Sequence, residues 1–169
     1  MIVIRREEPA DAPAVSRVNE QAFGQPDEAR LVDALRSAEA VTLSLVAEDD
    51  REIIGHILFS PVTIETATGV FAGVGLAPMA VAPARQRSGV GSQLARVGLD
   101  LLRQEGHEVV VVVGHAEYYP RFGFRPGAPL GLRWEIDVPE DVFMVLELRP
   151  GALAERRGIV RYRREFAGA

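Results

Sequence analysis

Seven consecutive residues, Gln86-Arg87-Ser88-Gly89-Val90-Gly91-Ser92, have the composition of an anion cradle. They follow an apolar stretch that reads as a strand. They precede Leu94, Val97, Leu101 and Leu102, which recur at helical spacing. The first turn of a helix carries N–H groups with no intrahelical acceptor, and the macrodipole adds partial positive charge there. Glycines let a phosphate approach the backbone and tolerate positive φ. No Asp or Glu lies between Glu65 and Asp100, whereas Arg85, Arg87 and Arg96 do. In a chain of net charge −5, that window is room for an anion. Taken alone, two glycines can equally be read as merely opening a helix. The carboxylate-free window and the apolar strand that follows favour the phosphate.

Composition narrows the chemistry further. All 19 basic residues are Arg, so a Walker A loop, a Lys Schiff base and lysine self-acetylation are excluded. A Rossmann fingerprint needs a third glycine where Leu94 stands. The absence of Cys excludes disulfides, thiolate nucleophiles, Fe–S clusters and Cys-ligated zinc, and no metal site is expected. A pI near 5.3 argues against nucleic acid as a partner. No run of 18 apolar residues is present, so no membrane partner is expected, and residues 1–8 lack a signal-peptide core. A cytoplasmic protein is the default expectation.

The elements that must hold the loop follow from periodicity. Strands are expected at 2–7, 41–48, 53–65, 70–82, 109–113 and 143–148. Helices are expected around Val15–Phe23, from Asp27 past Leu35, and from Gly89 to Gln104. Pro78 interrupts the third long strand, because a proline cannot donate to a ladder. Val109–Val113 is apolar on both faces and reads as a central, parallel strand. Residues 74–113 thus form a βαβ unit. Residues 117–122 read as a short helical segment, 126–140 as loop, and 159–163 as an added edge strand in a charged tail from about 152 to 169. With 169 residues, 47% hydrophobic, the chain suits one α/β domain, 1–169.

At these positions the chain resembles the GNAT N-acetyltransferase superfamily. Gln86-Arg87-Ser88-Gly89-Val90-Gly91 matches its Q/R-x-x-G-x-G/A signature, and Tyr119-Pro120-Arg121-Phe122-Gly123-Phe124 matches its Tyr-x-x-x-Gly-Phe element. The stretches 55–62, 114–124 and 144–151 look like the YhbS-like branch. The resemblance implies a mixed, mostly antiparallel sheet with a splayed parallel pair at strands four and five, flanked by helices. It implies acetyl-CoA as cofactor, with pantetheine on the backbone of Met79, Ala80 and Val81 and pyrophosphate on Gln86, Arg87, Ser88, Gly89, Val90, Gly91 and Ser92. It implies direct attack of an amine on the thioester, an oxyanion donor near Ala80, and Tyr119 as general acid and cofactor-side residue. Tyr118 is the rival for that role.

The general base is open. Gly75 stands about where some family members carry a strand-four Glu, and the candidates are Glu28, Glu65, His115, Glu135 and Asp137. His56 reads as structural. Trp134, Phe122 and Phe23 are candidate acceptor-lining residues. The resemblance implies as acceptor a primary amine of a small molecule or peptide, and a monomer or homodimer is expected. The alternative is a non-catalytic CoA-binding sensor on the same fold, or an enzyme using a longer acyl group or an alcohol. Arg156, Arg157, Arg161, Arg163 and Arg164 read as a solvated face or as partners of Glu155 and Glu165.

Overall fold

The structure is a computed structural model that describes residues 1–168. Its contacts group residues 1–60, 77–100 and those from Arg164 into one compact unit, and residues 61–76 and 101–163 into another.

In the first unit, β1 (Ile2–Arg6), β2 (Leu43–Asp49) and the first part of β3 (Glu52–Thr66) form an antiparallel meander. Side chains alternate across a strand, so Val46 and Leu58 share one face. They pack with Val15 of α1 (Ala12–Phe23) and with Leu31, Val32 and Leu35 of α2 (Asp27–Ser37). Leu45 and Phe59 point the other way, toward α3 (Val90–Gln104). A Cβ on Gly98 of α3 would fall 2.6 Å from the Phe59 ring. Only glycine allows this helix to lie so close to the sheet.

The same alternation puts a polar network under α1. His56 is fully buried. Asn19 Nδ2 donates to the Val15 carbonyl (3.0 Å) and lies 3.1 Å from His56 Nδ1. Nδ1 is therefore the acceptor, and Nε2–H donates to Ser44 Oγ at 2.9 Å. Ser44 passes its own hydrogen to Glu7, which also accepts from Arg36 at 2.5 Å. His56 is structural, as its sequence context indicates. Burial first, and Arg36 second, push its pKa down from 6.5 to about 3.

A stability prediction follows with a definite sign. Between about pH 6.5 and 3 the unfolded chain binds a proton at His56 that the folded chain refuses. Stability therefore falls as pH drops through that window, by about 1.4 kcal/mol per pH unit from this residue. Urea midpoints of the parent and His56→Gln from pH 7 to pH 4 should converge as the pH falls. Parallel profiles would overturn the assignment.

In the second unit, the first part of β4 (Gly69–Val81) pairs in parallel with β5 (Val109–Val113) at Val74↔Val110 and Gly75↔Val111. β5 pairs antiparallel with β8 (Phe143–Glu147), and β8 with β6 (Arg125–Pro126). Val109 through Val112 are all buried, as expected of a central strand. The expected mixed, mostly antiparallel sheet flanked by helices is thus present, with its parallel pair at strands four and five.

Two sequence expectations need correction. Residues 126–140 are not all loop: they contain β7 (Leu132–Trp134). The tail strand, β9 (Gly158–Arg161), is not an edge. It pairs antiparallel with β3, from Thr63↔Arg161 to Thr66↔Gly158, and parallel with β7. Gly158 is required there, because a Cβ would fall 1.8 Å from the Glu65 carbonyl oxygen. The tail arginines also take more distant partners than expected. Arg161 binds Glu65 at 2.5 Å, and Arg156 lies 3.6 Å from Glu108 with its guanidinium 4.7 Å over the Phe71 ring. Arg164 meets Glu165 at 3.7 Å.

Candidate active site

The loop between β4 and α3 has the geometry that its composition suggests. A short 3-10 turn (Pro83–Arg85) leads into it. Arg87 (φ 63°) and Gly89 (φ 90°) are both left-handed. Gln93 N–H donates to the Gly89 carbonyl at 3.0 Å, which starts α3. The helix itself offers no acceptor to the amides of its first turn, which includes Val90 and Gly91. Gln86, Arg87, Ser88 and Gly89 are exposed, Val90 is buried, and Gly91 and Ser92 are half-buried. Apart from its chain neighbours, no atom lies within 4 Å of where a Gly89 Cβ would stand, so the backbone there is open.

Side chains around the loop are less free than the sequence implies. Gln86 Nε2 donates to the Val81 carbonyl at 3.0 Å, and Ser88 Oγ donates to the Arg85 carbonyl. Arg85 is held by Asp49 at 2.7 Å, and that hydrogen bond first of all keeps the Asp49 carboxyl below its usual range. Arg85 therefore serves the loop's conformation, and Arg87 is the exposed cation on it. Ala80 is buried, with Met79 and Val81 half-buried on either side along β4.

In the second unit Tyr119 opens a 3-10 turn (Tyr119–Phe122). Its ring lies on the backbone of Gly114, where a Cβ would sit 2.5 Å from Cε2. Gly114 ends β5 and is held by its N–H to the Val142 carbonyl at 2.9 Å. Tyr118 and Phe124 meet the Tyr119 ring edge-on at 5.1 and 5.7 Å. Gly123 (φ 99°) closes the turn, and Phe124 is buried behind it. The Tyr-x-x-x-Gly-Phe spacing thus has a physical reading: the glycine reverses the chain and the phenylalanine anchors it. Burial first, and Tyr118 second, push the Tyr119 hydroxyl up to about 12, so it stays protonated at any working pH. Tyr118 is half-buried, with the Arg121 guanidinium 4.3 Å from its ring centroid.

The candidate bases fare unevenly. Glu65 is ion-paired with Arg161, and Glu135 accepts the Tyr162 N–H at 2.7 Å. Glu28 accepts from Gln25 at 3.1 Å. Asp137 is exposed. His115 has an exposed side chain, and its carbonyl accepts the N–H groups of Tyr118 (3.1 Å) and Tyr119 (3.4 Å). Trp134 lines a cavity of about 450 Å³ with Leu132, Val138 and Phe143; Phe122 and Phe23 are not among its walls.

Sequence reading missed Tyr162. Its ring lies over Gly75 of β4, where a Cβ would meet Cε2 and Cζ at 3.2 and 3.3 Å. Trp134 packs on the same ring at 5.6 Å. The glycine in an apolar strand was the available signal, since such a residue marks close approach by another group.

Comparison with known proteins agrees with this geometry. A family model described as an acetyltransferase (GNAT) domain matches residues 3–127. The N-acetyltransferase YhbS of Escherichia coli K12 is 37% identical over 166 residues, 98% of both chains. A crystal structure of E. coli YhbS in complex with CoA superposes with a TM-score of 0.92 at 37% identity, covering 98% of this chain and 92% of that one. A GNAT family acetyltransferase from Brucella melitensis, in complex with acetyl-CoA, gives a TM-score of 0.82 at 38% identity, covering 98% of each chain. With residues 3–127 matching the family model and a relative 37% identical over nearly the whole of both chains, the chain belongs to the GNAT family of acetyltransferases.

Proposed function

We propose that the protein transfers the acetyl group of acetyl-CoA to a primary amine of a small molecule or peptide by direct attack on the thioester. The observation that carries the cofactor is the loop at the start of α3, with its left-handed Arg87 and Gly89 and its bare backbone. The complexes of the two relatives with CoA and acetyl-CoA support it. Acetyl-CoA supplies an activated acyl carbon and a thiolate leaving group.

The chain's own residues have these roles in the proposal. Backbone amides of residues 87–92 hold the pyrophosphate, and β4 from Met79 to Val81 offers its backbone to the pantetheine. The Ala80 N–H receives the carbonyl oxygen as negative charge develops on it. Tyr119 gives its hydroxyl proton to the departing sulfur. The amine nitrogen forms its bond to carbon as the carbon–sulfur bond breaks, and its surplus proton leaves through His115 or water. A phenol near 12 is a weak donor to a thiolate whose conjugate acid lies near ~8.5. Before the carbon–sulfur bond breaks, the thioester sulfur is a much weaker base than that thiolate. Tyr119 therefore donates in concert with cleavage. Retention of a buried phenol on Gly114 favours catalysis over mere CoA binding, which needs no acid.

Thermal unfolding with and without acetyl-CoA tests the cofactor. At 100 times its dissociation constant a ligand of the native state adds about 2.7 kcal/mol. For a chain of this size the midpoint should rise by about 5–11 °C. No rise at millimolar acetyl-CoA, in a folded sample, would overturn the proposal.

A further inference from the structure

We infer that the cavity beside β7 binds a small organic cation with an apolar body. All of its walls lie in the second unit. Its volume of about 450 Å³ falls in the range of small-molecule sites, roughly 300–1,000 Å³. The apolar walls come from the ends of two strands and the loop between them. Leu132 and Trp134 alternate to one face of β7 and pack against the core, as does Val138 in the loop beyond. Phe143 opens β8 and is fixed by Gly127. The Gly127 N–H donates to the Phe143 carbonyl at 3.0 Å, and a Cβ on that glycine would fall 2.8 Å from the Phe143 ring. The Tyr162 ring holds Trp134 at 5.6 Å. The Val142 N–H donates to the Pro139 carbonyl at 3.2 Å and ties down the loop that completes the wall. The walls are thus set by contacts within the fold before any ligand arrives.

The charged walls give the sign of the ligand. Glu135, Asp137 and Glu140 line the cavity, with Arg133 as the one cation among the described walls. Glu135 is partly committed: its Oε2 accepts the Tyr162 N–H at 2.7 Å, and its Oε1 lies 3.6 Å from Arg161. Asp137 and Glu140 are exposed, and among the described residues their side chains have no hydrogen-bond or ion-pair partner. Glu135 and Asp137 are candidates for the general base; the cavity gives them another use, as negative charge that attracts a cation. A metal ion does not fit the site, since no group of three or more His, Cys, Asp or Glu among the described residues is placed to hold one. An organic cation does. Its charge meets the carboxylates, and an ammonium against the Trp134 indole is attracted by the ring quadrupole. Its body displaces water from Leu132, Val138 and Phe143.

Trp134 is the only tryptophan of the chain, so its fluorescence reports on the cavity. Phenethylammonium and phenethyl alcohol are matched in shape and differ in charge. Titrated at low ionic strength without acetyl-CoA, the ammonium should change the emission saturably and bind about tenfold more tightly than the alcohol. In the double variant Asp137→Asn/Glu140→Gln its affinity should fall about tenfold, to the level of the alcohol, whose own affinity should stay as it was. Added salt should weaken binding to the parent and leave the variant nearly unaffected. Unfolding midpoints show whether the variant is folded. If it is not, Asp137→Asn alone should lower the affinity for the ammonium about threefold. No saturable change in emission, equal affinity for ammonium and alcohol, or full affinity in the charge variants would overturn the inference. It does not rest on the acetyl-transfer reading. A parent protein that transfers no acetyl group overturns that reading and leaves this one standing, whereas a failed titration overturns this one alone.

Discussion

Tyr119→Phe should lower kcat by about 10²–10⁴-fold, the usual worth of a positioned general acid, while leaving acetyl-CoA affinity nearly unchanged. The asymmetry is the informative part. The ring is what rests on Gly114 and meets Tyr118 and Phe124, so the phenylalanine variant keeps the packing and loses only the proton. An acid acting on the leaving thiolate works in the transition state and not in the ground state, so KM should hardly move. Tyr118→Phe provides the control. Its ring packs with Arg121 and Phe122, and its substitution should cost far less. Steady-state kinetics with one amine and saturating acetyl-CoA decide the matter. Unchanged kcat in Tyr119→Phe, or the larger loss in Tyr118→Phe, would move the acid to another residue.

Gly89→Asp should weaken acetyl-CoA binding by about 10²–10³-fold, an effect read by calorimetry or by loss of the thermal shift. Two causes add, and a second variant separates them. At φ 90° any β-carbon strains the backbone, at a cost of about 1–2 kcal/mol. Gly89→Ala should show that cost as a lower unfolding midpoint, with modestly reduced affinity. The aspartate adds a carboxylate where the pyrophosphate is proposed to rest. Two unit charges about 4 Å apart repel by about 4 kcal/mol at an effective dielectric of about 20. Added salt should recover part of the aspartate's loss and none of the alanine's. Equal affinities for the two variants would mean that no phosphate approaches this loop.

The backbone conformation at these two positions is legible in the sequence because it is set within a few residues. Gly89 and Arg87 lie within a few residues of the helix they start, and Tyr119 lies within a single turn closed by Gly123. The same holds for α3 and for the β2–β3 hairpin, whose apolar periods are intact over many residues. What escaped was set by distant partners. Arg85 looks like a free cation until Asp49, 36 residues earlier, is seen to hold it. β7 is three residues long, too short for a period, and exists because β9 pairs with it. Tyr162 sits in a run of arginines that reads as a solvated face. Its contact with Gly75 depends on the strand before it entering the sheet beside β3, which no local pattern in the tail announces.

The place of β9 also governs the order in which the protein can be built. It is the last strand among the described residues, yet it fills a gap between two strands made before it, and its Arg161 reaches back 96 residues to Glu65. During synthesis the second unit has to wait with the margins of β3 and β7 open, each a row of unsatisfied amides and carbonyls ready to accept a foreign strand. Pairing across so long a stretch of chain is slow. A nascent chain stalled before Gly158, or a fusion that delays release of these residues, would keep that sticky margin exposed for longer. Its yield would then be limited by aggregation rather than by the stability of the finished fold.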